Sequence, residues 1–201
     1  MPTFANTLES DTKSRILAAA GELIVKHGFN GVGISDILSK AGVPKGSFYH
    51  WFGSKEQLGV ELLKAVGRAV GDEEATWFAR ADMMPNHLDR LTAAMEAGLL
   101  ELMKQVETDV GLMLKLGAEM SSTSEAMRLE VAAFLQAQDR LYTDFISQGQ
   151  KAGHIRSDVP AADLASIISD LWTGAYLRVL VVRNAQPMRV AIEHLKSFLA
   201  A

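Results

Sequence analysis

Ile34-Ser35-Asp36-Ile37-Leu38-Ser39-Lys40-Ala41-Gly42-Val43-Pro44-Lys45-Gly46-Ser47-Phe48-Tyr49-His50-Trp51-Phe52 carries two short helices and a corner between them. Ile37, Leu38 and Ala41 give the first helix, near Ile34 to Ala41, one apolar face. Gly42 permits the sharp bend, Val43 can plug it, and Pro44 restarts the chain with φ already set for a helix. In the second helix, near Lys45 to Trp51, Phe48 and Phe52 stand four apart and share a face that can anchor in a core. Lys45, Gly46, Ser47, Tyr49 and His50 are left to project outward. The pattern is that of a helix-turn-helix. A helix that opens Lys-Gly-Ser offers free N–H groups and a positive dipole end to phosphates. Tyr49 and Lys55 suit backbone oxygens, and Ser47 and His50 suit base edges or phosphates.

Outward from this segment the apolar residues keep three-and-four spacing: Ile16, Ala20, Leu23 and Ile24 before it, Leu88, Leu91, Met95, Leu99 and Leu102 after it. No sustained alternating β-branched run appears, so the expected fold is all-α with about nine helices. The first runs from about Thr12 to His27 and stops at Gly28, a residue suited to a left-handed cap. Ser54 and Gln57 form a capping box ahead of a helix reaching about Arg80, and Ser122 with Glu125 is expected to repeat the device before a long helix ending near Gly153. Pro160 and Pro187 lead the last two helices, near Ala161 to Arg183 and Met188 to Leu199. Short helices give way to long amphipathic ones at Ser54. This places a small N-terminal domain at 1–53 and a larger helical domain at 54–201.

Composition narrows the chemistry. The chain has 201 residues, 48% hydrophobic and 22% charged, the balance of a soluble globular protein. Its net charge is −4, so any nucleic-acid site must be local. Between Ser39 and Leu58 the charges are Lys40, Lys45 and Lys55 against Glu56, a net of +2. There is no Cys, which excludes disulfides, thiolate metal sites and thiol-based sensing. His27, His50, His87, His154 and His194 show no metal-ligand spacing, and the other Asp and Glu residues read as solvated helix faces. Gly31-Val32-Gly33 starts a glycine fingerprint that Asp36 breaks, and no nucleophile elbow or phosphate loop is present. No enzyme activity and no cofactor are expected. Met1 to Ser10 reads as a short free tail, and no uninterrupted apolar run approaches the ~18 residues of a membrane span. A cytoplasmic protein with no membrane partner is expected.

The block Gly42 to Phe52, followed by Ser54-Lys55-Glu56-Gln57-Leu58, resembles the DNA-binding domain of TetR-family transcriptional regulators. The likeness extends back through Ile16 to Phe29 and more loosely forward; Arg156-Ser157-Asp158, Pro160, Leu164 to Gly174 and the closing helix are similar to that family's dimerisation end. Lys115-Leu116-Gly117-Ala118-Glu119-Met120 and Leu171-Trp172-Thr173-Gly174-Ala175 resemble a subgroup that includes responders to reactive electrophiles. That subgroup commonly has a cysteine where this chain has Gly111, so a thiol sensor is excluded. Where the family usually caps the second helix with Ser or Thr, this chain has Gly33, and the hydroxyl contact to phosphate passes to Ser35.

The resemblance implies a homodimeric regulator, a repressor, that binds double-stranded operator DNA through Ser35, Lys45, Gly46, Ser47, Tyr49, His50 and Lys55. It also implies a small-molecule effector, mostly apolar, held in the larger domain. Candidates for that pocket are Trp77, Met95, Met103, Met113, Met120, Phe134, Trp172 and Tyr176, with core packing as the competing reading of each. Apolar residues surround much of the penultimate helix, more than one partner face can bury. A second subunit can bury the remainder, and the resemblance implies a four-helix dimer interface that holds Leu164, Ile168, Leu171, Val179, Ile192, Leu195 and Phe198. The alternative is a helical small-molecule-binding protein or enzyme without DNA binding.

Overall fold

The computed structural model describes residues 11–104 and 109–201; the tail expected over Met1 to Ser10 lies outside them. Among the described residues there are nine α-helices and no strand: α1 Thr12–His27, α2 Ile34–Ala41, α3 Lys45–Trp51, α4 Lys55–Ala81, α5 His87–Lys104, α6 Asp109–Met120, α7 Glu125–Lys151, α8 Ala161–Val182 and α9 Gln186–Leu199.

The helix ends have local causes. Asp11 caps α1 by accepting the Ser14 N–H at 2.7 Å. Gly28 closes it with φ 77°, but its ψ of 164° makes an extended exit, not the left-handed cap expected there. Pro44 and Pro160 occupy the N-cap positions of α3 and α8, and Pro187 falls in the first turn of α9. Ser54 Oγ accepts the Gln57 N–H at 3.0 Å, while Gln57 Oε1 reaches back one residue further than expected, to the Gly53 N–H at 2.9 Å. The expected cap at Ser122 is instead made by Ser124, whose Oγ accepts the Met127 N–H at 3.2 Å and whose hydroxyl donates to Glu56. Two extra residues are absorbed in the turn after α6, where the Thr123 and Ser124 N–H groups return to the Met120 carbonyl.

The chain packs as two units: residues up to 72 with 107–134, and 73–106 with 135–201. In the first, Ile16, Ile24, Ile37, Phe48, Phe52, Leu58, Leu62, Leu112 and Met113 are fully buried in one core. Each such side chain contributes about 1.5–3 kcal/mol of burial. That core holds the helix-turn-helix against α6. In the second unit α9 packs on both α5 and α8, with Leu91, Ile168, Met188, Leu195 and Leu199 buried.

Two groups in the second unit depart from the sequence expectation. Glu74 is 7% exposed, so it is not part of a solvated face. His87 and His154, 67 residues apart, bring their Nδ1 atoms to 3.0 Å, and the His87 backbone N–H also points at His154 Nδ1 at 3.3 Å. By length and composition alone α8 could cross a membrane. Asp163, Asp170 and Arg178 interrupt it, and it packs on α9.

Candidate nucleic-acid interface

The corner between α2 and α3 is built by backbone chemistry. Gly42 takes φ 64° and ψ 41°, and the Gly42 and Val43 N–H groups return to the Ser39 and Leu38 carbonyls at 3.2 Å each. Arg15, reaching from α1, donates Nη2 to the Ala41 and Gly42 carbonyls at 2.7 and 3.0 Å, so the exposed end of α2 is sealed by a fixed guanidinium. At the other end of α2, Asp36 Oδ2 accepts the Gly33 N–H at 3.0 Å. Gly33 has no side chain to return the bond.

Burial of Phe48 and Phe52 sets the rotation of α3. Lys45, Gly46, Tyr49 and His50 consequently face solvent, and Ser47 is half-buried. Tyr49 is 59% exposed with its ring edge-on to Phe48, centroids 5.3 Å apart. His50 stacks edge-on to Trp51 at 4.9 Å. A Cβ at Gly46 would meet nothing within 4 Å, so no internal packing demands glycine there.

A groove of about 750 Å³ opens beside this helix, lined by Asn30, Val32, Gly33, Ile34, Ser35, Leu38, Lys45, Tyr49 and Lys55. It gathers Ser35, Lys45, Tyr49 and Lys55, four of the seven expected DNA-contacting residues; Gly46, Ser47 and His50 lie along the same helix. Asn30 joins the groove although no motif in the sequence marks it. Lys55 donates to the Phe29 carbonyl and lies 4.6 Å from the centre of the Phe29 ring, and partial burial pulls its ammonium below the usual lysine range. Two of its three N–H groups remain for an outside acceptor.

Two residues on α6 complete the scaffold. Lys115 Nζ donates to the Val25 carbonyl near the end of α1. Glu119 accepts the Phe29 and Asn30 N–H groups at 2.8 Å each, and its carboxylate crowds the place where a Gly28 side chain would stand, at 3.1 Å. Although burial opposes it, these backbone hydrogen bonds and Lys115 hold the Glu119 carboxyl below its ordinary value. Both residues lie in the Lys115 to Met120 segment that carries the resemblance, and no local pattern marks their contacts.

The remaining expected residues divide between the units. Met113 and Met120 are buried in the core of the first, and Phe134 packs against it. In the second unit Met95 and Tyr176 are buried, while Met103 is 48% exposed. Trp77 and Trp172 both close on Gly98, where an added Cβ would stand 3.0 and 3.4 Å from their rings. Of the residues expected at a dimer interface, Leu164, Ile168, Val179, Ile192 and Leu195 are buried within the second unit's own core, 0–6% exposed. Leu171 and Phe198 stay exposed, at 39% and 38%. Ile167, Leu171, Gly174, Arg178 and Val181 form an exposed seam at four-and-three spacing along α8.

Comparison with known proteins agrees with this architecture. Residues 16–62 match the model of bacterial regulatory proteins of the tetR family, and residues 87–195 match that of the tetracyclin repressor-like C-terminal domain. The chain is 30% identical over 192 residues to the HTH-type transcriptional repressor NemR of Escherichia coli (strain K12), covering 96% of each chain. It is 26% identical over 177 residues to the HTH-type transcriptional repressor DhaR of Mycobacterium sp. (strain GP1), covering 88% of this chain and 86% of that one. The crystal structure of reduced E. coli NemR superposes with a TM-score of 0.81 at 31% identity, over 94% of this chain and 97% of that one. A TetR regulator from Chloroflexus aurantiacus J-10-FL gives 0.82 at 26% identity, over 93% of each. Helix-turn-helix, full-length likeness and family models coincide: the chain belongs to the TetR family and is a DNA-binding transcriptional regulator, not an enzyme.

Proposed function

We propose that this regulator is a homodimeric repressor that leaves its operator when a small, mostly apolar effector enters the larger domain. The observation that carries the DNA half of this reading is the groove that gathers Ser35, Lys45, Tyr49 and Lys55 beside a recognition helix whose opposite face is buried. Residues 1–53 would act as the DNA-reading domain, with α3 in the major groove and Gly46, Ser47 and His50 along its contact face. Two copies related by a two-fold axis would read a near-palindromic site, with the seam of Ile167, Leu171 and Val181 as the surface that pairs. As a DNA-binding regulator the protein would work in the cytoplasm.

Release would be geometric. The paired contacts of Lys115 and Glu119 tie α6 to the end of α1, so a shift of α6 within the first unit would reach the helix-turn-helix through side chains hydrogen-bonded to its backbone. Differential affinity of effector for the two arrangements would set the extent of release. Since the chain has no Cys, covalent capture of an electrophile by a thiol is not available to it.

The test is recovery of genomic DNA fragments on the purified protein, followed by binding titrations of the enriched sequence at several salt concentrations. The reading predicts a near-palindromic site and an affinity that falls with salt. Failure to enrich any sequence would overturn it.

A further inference from the structure

DNA reading leaves one buried acid without a task. Glu74 on α4 is 7% exposed, and its Oε2 meets no hydrogen-bond partner among the described residues; Gln138 Oε1 on α7 is likewise unpartnered. The Gln138 amide and the Tyr142 hydroxyl, four residues apart on α7, hydrogen-bond to the Glu74 side chain. Phe78, four residues on from Glu74, sets its ring 6.3 Å from that of Tyr142 and 4.9 Å from that of Phe145. The charge acting on Glu74 is that of Glu73, of the same sign, and burial together with this neighbour pushes the carboxyl up to about 7. Buried acceptors without donors are costly, and a carboxyl placed so is a mark of a site awaiting a donor.

The kind of donor follows from the surroundings. A hydroxyl offers one O–H donor and no charge, whereas an ammonium offers three donors, which can reach both open oxygens, and offsets the charge of adjacent acids. Aromatic rings beside the acid favour a cation further. We propose that Glu74, Gln138 and Tyr142 form the polar end of an effector site in the second unit, and that this site takes a protonated primary amine carried on an apolar body. The inference rests on the effector-responsive reading above and specifies the chemistry of the effector. An amine stays charged across the neutral range, so its binding requires ionised Glu74 and weakens as the acid protonates.

The experiment is calorimetric titration of the full-length protein with phenethylamine, tryptamine and phenylbutylamine, each against the alcohol that replaces its ammonium by a hydroxyl. At about pH 8 at least one amine should bind about tenfold or more tightly than its alcohol. Moving to about pH 6 should shrink that ratio about tenfold, because a group titrating near 7 passes from mostly ionised to mostly neutral. Glu74→Gln should remove the preference of amine over alcohol. Should that variant not fold, Gln138→Leu, which deletes the other open oxygen, should still reduce the ratio. Amines no tighter than alcohols, no binding by any of the series, or a ratio unmoved by the substitution each overturn the proposal. Operator binding is measured separately. A protein that binds its operator but shows no amine preference loses only this inference, whereas one without salt-dependent DNA binding loses the regulator reading, whatever its amine affinity.

Discussion

Replacing Glu74 by Gln should flatten the pH dependence of stability, and the structure sets the size of the effect. The carboxyl titrates near its ordinary 4.5 in the unfolded chain and at about 7 when folded, chiefly through burial, with Glu73 adding to the rise. Between those values the native state holds a proton that the unfolded state has released. Unfolding free energy from this group is therefore fully present below about pH 4.5 and is lost as pH rises to about 7. At about 1.4 kcal/mol per pH unit the loss is about 3 kcal/mol. With the side chain 7% exposed, solvent screening removes little of it. For a chain of this size the same energy moves the melting temperature by about 6 to 12 °C. Glutamine keeps the shape and cannot ionise. Urea denaturation of both proteins at equal concentration, at intervals from about pH 5 to about pH 8, should show the variant gaining about 3 kcal/mol on the parent as pH rises. His87, held below its ordinary 6.5 by burial and by Arg90 and His154, contributes the opposite trend, stability gained as pH rises. That contribution is common to both proteins and cancels in their difference. Parallel curves would refute the placement of Glu74 in a dry interior.

Other substitutions address the corner, the groove and the pairing face. Gly42→Ala forces a Cβ into φ 64° and to 3.2 Å from Arg15 Nη2, and should cost about 1–2 kcal/mol in a denaturation experiment. Gly46→Ala meets nothing within 4 Å and should raise stability by up to about 1 kcal/mol while weakening operator binding; unchanged affinity would show that the backbone there does not approach DNA. Leu171→Asp, at an exposed position, should give folded monomers by sedimentation, whereas Val179→Asp, 6% exposed, should unfold the second unit, as seen in lost helicity.

What the sequence discloses is what is decided within a few residues. Pro44, Gly42 and the Phe48/Phe52 pair locate the helix-turn-helix because cap, corner and anchor are adjacent in the chain. The hold of Lys115 and Glu119 on Val25, Phe29 and Asn30 spans about 90 residues and leaves no periodic trace. Helix α8 illustrates a different difficulty. It is apolar around most of its circumference, so spacing cannot tell the face toward α9 from the face toward solvent, and Leu164 and Val179 exchange roles with Ile167 and Val181. Glu74 is hidden for a similar reason: one acid on a long mixed helix reads as solvated until Gln138 and Tyr142 are placed beside it.

An acidic protein can still present a local positive face, and in the first unit three lysines outside the groove are paired with acids. Lys40 pairs with Glu22 at 2.7 Å, and Lys13 and Lys64 both pair with Glu61, at 2.7 and 3.3 Å. Among the described residues Lys45 forms no ion pair, and Lys55 is held by a carbonyl, which leaves its charge intact. The groove therefore carries two lysine charges that no acid pairs with among the described residues. A dimer that places Lys45 and Lys55 of each copy on phosphates neutralises about four charges, and the logarithm of affinity should fall with the logarithm of salt at a slope of about −3 to −4. Lys45→Ala removes one contact per copy and should bring the slope to about half, with affinity for all sequences lowered alike. A slope unchanged in that variant would mean that α3 does not lead the approach to DNA, because no other exposed group on it carries a fixed positive charge.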